Sequence, residues 1–272
     1  MQQDTPPRIM GILNITPDSF SDGGLHLSPG HAMERAAEMA EQGADIIDIG
    51  GESTRPGARP VSVQQQRERV LPVVKKLRGR LPDHVRISID TRSSEIAGEA
   101  LALGADIIND VSAGRDDDNM FAVAVQSGAP LVLMHMQGRP ETMQDNPRYE
   151  NVVEEVYAFL LARALAAENA GVLREQIILD PGIGFGKRRE DNLQLLAHLD
   201  RFVSSGYPVL LGTSRKRFMG SLCNTGNPGE LVHATAATTA LGVLAGVSIF
   251  RVHDIEANRQ AADVAWAIQA ML

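Results

Sequence analysis

Eight short apolar runs in the chain each end in residues able to do chemistry. The first opens into Asn14-Ile15-Thr16-Pro17-Asp18-Ser19-Phe20, the second into Gly50-Gly51-Glu52-Ser53-Thr54-Arg55-Pro56-Gly57. The third ends in Asp90-Thr91-Arg92, the fourth in Asn109-Asp110-Val111-Ser112, the fifth in His135-Met136-Gln137. Asp180-Pro181-Gly182-Ile183-Gly184-Phe185-Gly186-Lys187 follows the sixth, Gly212-Thr213-Ser214-Arg215-Lys216 the seventh, and Arg251-Val252-His253-Asp254 the eighth. One such residue after a strand is ordinarily a cap or a turn. Eight in a row, several of them ionisable, point to one functional face.

Asp90, Asn109, Asp180 and Lys216 come from four different run ends. Carboxylates accept, an amide does both, and a lysine only donates. That set suits a heterocycle with an N–H/NH₂ edge on one side and a carbonyl on the other. The rival use of clustered carboxylates is a metal. No His pair stands at helical spacing, which argues against a tight transition-metal site and leaves room for a labile Mg²⁺ accompanying a phosphate. Arg55, Arg251 and His253 add donors, and Asn14 with two Gly-rich loops adds backbone N–H groups, so an anion site is expected beside the heterocycle. No nucleophile elbow is present, because the run from Gly212 lacks the second glycine of Gly-x-Ser-x-Gly. The run from Gly182 lacks the Walker spacing and reads as a loop of close backbone approach carrying Phe185 as a flat apolar wall.

The elements that position these groups repeat. Short runs rich in Ile, Val and Leu occur at 8–13, 45–49, 86–89, 106–108, 130–134, 176–179, 208–211 and 248–251. They show little alternation, as strands buried on both faces of a parallel sheet do. Amphipathic stretches lie between them at 29–42, 63–80, 94–103, 119–126, 149–170, 191–199, 229–245 and 255–271. Ser28 and Pro29 make a candidate helix start, and Gly43, Gly104 and Gly171 candidate helix stops. Gly-Ala-Asp-Ile-Ile occurs twice, at 43–47 and 104–108. Eight βα units favour an α/β fold closed as a single (β/α)₈ TIM barrel over a doubly wound open sheet, with the polar residues at the C-terminal mouth. Trp266 and Met33, Met39 and Met271 read as helix packing; His26, His31, His198 and His233 read as incidental.

Composition bounds the rest. The chain has 272 residues, 43% apolar and 22% charged, so a sizeable core is expected. A net charge of −8 argues against nucleic acid held by bulk electrostatics. Cys223 is the single cysteine, which excludes an internal disulfide. No apolar run approaches the ~20 residues of a membrane span, and the N-terminus lacks an apolar signal core. The expectation is a cytoplasmic protein with no membrane partner, a flexible segment over 1–7 and one domain over 8–272.

The motifs together resemble dihydropteroate synthase over nearly the whole chain. The runs from Gly11 to Phe20 and from Asp48 to Gly57 carry the resemblance most specifically, joined by Ser88-Ile89-Asp90-Thr91, Ile108-Asn109-Asp110-Val111, Leu133-Met134-His135-Met136-Gln137-Gly138, the Leu179 to Lys187 run, Ser214-Arg215-Lys216 and Arg251-Val252-His253-Asp254. The resemblance implies a pterin-binding barrel that condenses 6-hydroxymethyl-7,8-dihydropterin diphosphate with p-aminobenzoate, giving 7,8-dihydropteroate and pyrophosphate with Mg²⁺. It implies catalytic roles for Asp90, Lys216, Arg55 and Asn14. Pterin binding falls to Asp90, Asn109, Met134, Asp180, Phe185, Gly212, Lys216 and Arg251. Diphosphate falls to Asn14, Arg55 and His253, with Asn14 toward the metal. Thr54, Pro56, Phe185, Lys216 and Arg217 line the p-aminobenzoate pocket, where sulfonamides compete. The resemblance further implies that the first two loops close over the substrates.

Arg217 stands where many members carry serine at a helix expected to start near Ser214. A dissociative, SN1-like displacement needs no protein nucleophile and suits these groups. Two alternatives stay open at this level: a corrinoid-type pterin methyltransferase and a catalytically silent paralogue. Apolar runs at 234–247 and 261–272 exceed what one barrel face needs. With the resemblance, they imply a homodimer through the last helices.

Overall fold

A computed structural model describes residues 5–15, 29–54, 57–58 and 60–271. Eight parallel strands form one sheet: β1 (Arg8–Asn14), β2 (Ile46–Gly50), β3 (Arg86–Asp90), β4 (Ile107–Asp110), β5 (Leu131–Met134), β6 (Ile177–Asp180), β7 (Leu210–Leu211) and β8 (Ile249–Val252). Neighbours in the sheet are neighbours in sequence, and β1 pairs with β8. An open doubly wound sheet would reverse its strand order instead. A single parallel bridge, Leu179 to Val209, joins β6 to β7 and closes the barrel.

Strand periodicity sorts the side chains. Met10, Ile46, Ile107, Val132, Ile178, Leu210 and Ile249 fill the barrel interior as one apolar cluster. Two residues further along the strands, the same face carries Asp48, Asn109, Met134, Asp180 and Arg251. The barrel is thus greasy in its middle and polar at its C-terminal mouth. Alternate strand residues, among them Ile47, Ile87, Ile89, Ile108 and Leu133, point outward into a second core against the helices.

The helices are α1 (Pro29–Glu41), α2 (Val63–Arg78), α3 (Ser94–Ala102), α4 (Met120–Ser127), α5 (Val152–Asn169), α6 (Arg189–Ala197), α7 (Leu199–Val203), α8 (Arg217–Cys223), α9 (Val232–Ala245) and α10 (Ile255–Gln269). Ser62 starts α2 with a capping box to Gln65, and Asn151 starts α5 by accepting from the Glu154 N–H. The stretch expected as one helix over 191–199 is broken at His198, whose backbone is non-helical, so α7 follows separately. The expected start of α9 at 229 is instead a 3-10 turn, Pro228–Leu231. Ser28 lies outside the described residues. Met33 and Met39 are buried as expected, but Met271 is 85% exposed, because it lies beyond the last turn of α10.

The duplicated Gly-Ala-Asp segment builds the same joint twice at the far end of the barrel. Asp45 accepts from the Ile9 N–H at 2.7 Å, and Asp106 from the Ile87 N–H at 2.8 Å. Arg259 reaches Asp45 at 3.3 Å, and Arg78 reaches Asp106 at 3.2 Å. Gly43 and Gly104 hold φ of 95° and 103°, which ends each helix and lets the arginine stem lie flat on the turn.

Candidate active site

Register brings the first acids together. Asp48 lies beside Ser88, Gly50 beside Asp90, and Asp90 beside Asn109. Arg251 enters from β8 and spans them: its Nε donates to Asp48 Oδ2 and its Nη2 to Asp90 Oδ2, each at 2.7 Å. Asp48, fully buried, also accepts from Ser88 Oγ at 2.6 Å and Asn109 Nδ2 at 3.2 Å. Burial pushes the Asp90 carboxyl up, against the pull of Arg251 and with help from Asp48, Glu52 and Asp110. Burial disfavours the Arg251 charge, yet its two carboxylate partners hold its pKa above the usual value. A buried ion network of this kind is costly to break on one side only.

The second group hangs on the loop after β6. Asp180 accepts from the Gly182 N–H at 2.7 Å, and burial pushes its carboxyl up to about 6. Gly182 and Gly186 hold φ of 67° and 61°. A Cβ on Gly182 would lie 1.9 Å from the His135 carbonyl oxygen, and one on Gly186 2.5 Å from that of Gln137. Only glycine lets this loop approach the loop after β5 so closely, as the sequence reading required.

Phe185 is thereby turned toward Val111, Met134, Met136 and Met143, which form an apolar cluster at the mouth. Lys216 Nζ sits 4.1 Å from the centre of the Phe185 ring, a cation–π contact. A Cβ on Gly212 would lie 3.9 Å from Arg251 Cβ, so that glycine faces the arginine stem. Flat apolar wall, acceptors and ammonium therefore share the barrel mouth.

On the opposite rim, Ser214 Oγ lies 2.9 Å from His253 Nδ1 and accepts from the His253 N–H at 3.1 Å, tying the ends of β7 and β8. Arg215, at φ 56°, turns its guanidinium to Asp254 in a bidentate pair. That left-handed residue delays the helix expected near Ser214; α8 begins at Arg217, whose side chain is exposed. Asn14 ends β1 beside Gly50 and is half-buried, as is Thr54. Arg55 and Pro56 lie outside the described residues, as do 16–24 of the first loop. Where the second loop leaves the barrel, Glu52 accepts from Arg92 Nη2 through both carboxylate oxygens at 2.9 Å and from the Val61 N–H at 3.1 Å.

Asp48, Glu52, His135 and Lys187 had no assigned role in the sequence reading. For Asp48 a signal existed: an acid inside an apolar strand, one residue pair below the mouth. For Lys187 none did, because its partners are three backbone carbonyls and the His135 ring, brought over it only by the folding of two loops. Its amine is buried and burial pushes it down to about 7; burial likewise takes His135 down to about 2.

Comparison with known proteins agrees with this architecture. Residues 10–253 match the model of the family described as pterin binding enzyme. A dihydropteroate synthase from Synechocystis is 46% identical over 260 residues, covering 96% of this chain and 89% of that protein. The Yersinia pestis dihydropteroate synthase, solved with a sulfonamide drug, superposes with a TM-score of 0.92 at 40% identity, covering 97% of this chain and 95% of that one. The Xanthomonas albilineans enzyme in complex with 7,8-dihydropteroate superposes with a TM-score of 0.86 at 41% identity, covering 97% and 94%. A barrel whose mouth joins buried acceptors to an apolar wall, matched along nearly its whole length by these enzymes, belongs to the dihydropteroate synthase family of pterin-binding transferases.

Proposed function

We propose that the chain condenses 6-hydroxymethyl-7,8-dihydropterin diphosphate with p-aminobenzoate, releasing 7,8-dihydropteroate and pyrophosphate. The observation that carries this reading is the meeting of Asp180, Asn109, Asp90 and Arg251 with the Phe185–Lys216 wall at one barrel mouth. The aminopyrimidinone edge of a pterin presents N–H groups that Asp180 accepts, and Asn109 offers both donor and acceptor beside it. Met134, Phe185 and Arg251 pack around the ring, with Gly212 beside the arginine stem. Ligands held by relatives support the assignment: a sulfonamide in the Yersinia protein and 7,8-dihydropteroate in the Xanthomonas one.

Chemistry follows from charge. The C–O bond to diphosphate breaks first, and the bond pair leaves with the diphosphate. The carbocation left on the pterin methylene delocalises into a ring lying beside the buried carboxylates of Asp90 and Asp180. Low polarity around those groups strengthens their field on the cation. Arg55 and His253 stabilise the departing anion. The aniline nitrogen of p-aminobenzoate then forms the C–N bond and gives up its proton to the released pyrophosphate, so no side chain becomes covalently attached. Thr54, Pro56, Phe185, Lys216 and Arg217 hold the aniline and its carboxylate.

The residues fit a weakly held Mg²⁺. Asn14 ends β1 with a hard amide oxygen at the same mouth, and no group of three His, Cys, Asp or Glu able to grip a metal occurs among the described residues. Mg²⁺ bound through the diphosphate and Asn14 would supply positive charge to the leaving group. A second copy of the chain covers the outer face of α9 and α10, where Leu241, Leu244, Val264 and Ile268 stand exposed. Pyrophosphate release measured with both substrates and with each alone tests the whole reading. Release that requires both supports it; release from the pterin diphosphate alone at the same rate overturns it.

A further inference from the structure

Lys187 makes four close contacts, and all are to the loops after β5 and β6. Its Nζ donates to the Gly182 carbonyl at 2.8 Å and to the Phe185 carbonyl at 3.0 Å. The His135 ring Nδ1 lies 2.9 Å away and the His135 carbonyl 3.3 Å away. An ammonium has three N–H groups, and here they find three good acceptors. Lys187 is 3% exposed, which leaves the amine no surface on which to meet a ligand.

The contacts converge on one residue. The Phe185 N–H donates to the same Gly182 carbonyl at 3.1 Å, while its own carbonyl accepts from Lys187. Both backbone polar groups of Phe185 are therefore held, and the turn from Gly182 to Phe185 is closed from beneath. His135 is itself wedged edge-on against Phe159, with ring centres 4.9 Å apart, so the amine rests on a packed support. The ring that this clamp presents meets Lys216 above and the methionine cluster beside it. A loop with glycines at 182, 184 and 186 has many accessible conformations. An internal clamp is what selects one of them.

We propose that Lys187 is a positioning residue that sets the height of the Phe185 wall, and through it the grip on the pterin ring. The proposal rests on the reading that Phe185 walls that ring. It predicts a loss confined to the ring. In Lys187→Met, 6-hydroxymethylpterin should bind about tenfold more weakly, as the loss of a buried donor to two carbonyls implies. Inorganic pyrophosphate with Mg²⁺, which addresses the other end of the site, should bind as in the parent. Lys187→Gln keeps two N–H donors and should lie between the two, and it carries the test if the methionine variant does not fold.

Titration calorimetry of both probes on the parent, Phe185→Ala, the Lys187 variants and the double variants decides the matter. If Lys187 acts through Phe185, its substitution adds less than twofold to the loss already present in Phe185→Ala. Unchanged pterin affinity in Phe185→Ala would overturn the ring-wall reading and this proposal with it. A weakened Phe185→Ala beside unchanged or fully additive Lys187 variants would overturn the proposal alone. Equal losses of pterin and pyrophosphate in Lys187→Gln would mean general damage to the barrel, and would overturn it too.

Discussion

Arg251 and Asp90 are 161 positions apart in the chain, yet Nη2 of the arginine lies 2.7 Å from Oδ2 of the acid across the barrel mouth. The pairing of β8 with β1 makes the contact, because it brings Arg251 within reach of Asp48 two strands away on β2 and Asp90 three strands away on β3. Asp48 takes the other arm of the same guanidinium. Asp90 at the mouth is thus held by a cation that is itself anchored to a second buried acid.

That arrangement makes Asp48 structurally expensive to lose. Asp48→Ala leaves Arg251 with one partner and Ser88 and Asn109 with none at this point, so urea unfolding should show a loss of about 3–5 kcal/mol. Asp48→Asn keeps the shape and some hydrogen bonding and should cost less. Equal stability of Asp48→Ala and the parent would show that the network contributes nothing.

Asp180 gives a test at the ligand. Asp180→Asn replaces an acceptor by a donor, and pterin affinity should fall by about 2–4 kcal/mol. The parent should also show a pH dependence. Burial raises this carboxyl to about 6, so the ionised acceptor form dominates above that pH and is lost as pH falls through it. Pterin affinity should therefore decline below about pH 6 in the parent. Asp180→Asn has no proton to take up there and should be flat over the same range, which separates this residue from titration of the ligand.

The anion site predicts both selectivity and order. Arg55→Ala and His253→Ala should weaken the pterin diphosphate far more than the pterin alcohol, measured with and without Mg²⁺. The loops carrying Thr54, Arg55 and Pro56 are rich in glycine and proline, and ordering such a segment costs conformational entropy. On the proposed reading, a bound anion would offset that cost by giving Arg55 and Asn14 a common partner. Hence p-aminobenzoate should bind weakly to the free protein and tighter after a pterin analogue, pyrophosphate and Mg²⁺ are added. The difference should shrink in Arg55→Ala. Identical affinities in the two titrations would mean a pre-formed pocket.

The outer face of α9 and α10 predicts assembly. Sedimentation at micromolar concentration should give a mass of two chains. Leu241→Asp with Ile268→Asp places charges in that face and should shift the mass to one chain. A parent that sediments as a single chain would remove the second copy from the reading.

The run of eight βα units, the two glycine-stopped repeats and the polar residue after each apolar run are local features, and a reader of the residues alone obtains the barrel and its working end from them. Barrel geometry obliges strand C-termini to face one mouth, so the arrival of Asp90, Asn109, Asp180, Lys216 and Arg251 at that mouth is legible without coordinates. What stayed out of reach depends on which atoms meet. Asp48 stands out as an acid inside an apolar strand, but its partner is hidden until the pairing of β8 with β1 brings Arg251 to it. Lys187 looks like a surface charge closing a glycine loop until the loop folds over it and supplies carbonyls, which carry no residue-type signal. The break at His198 and the left-handed turn at Arg215 are likewise decided by what the chain must pack against, since propensity alone continues a helix through both. Composition and spacing determine which groups arrive at the mouth; the burial, pairing and strained backbone that set their charge and orientation exist only once distant strands have closed the barrel.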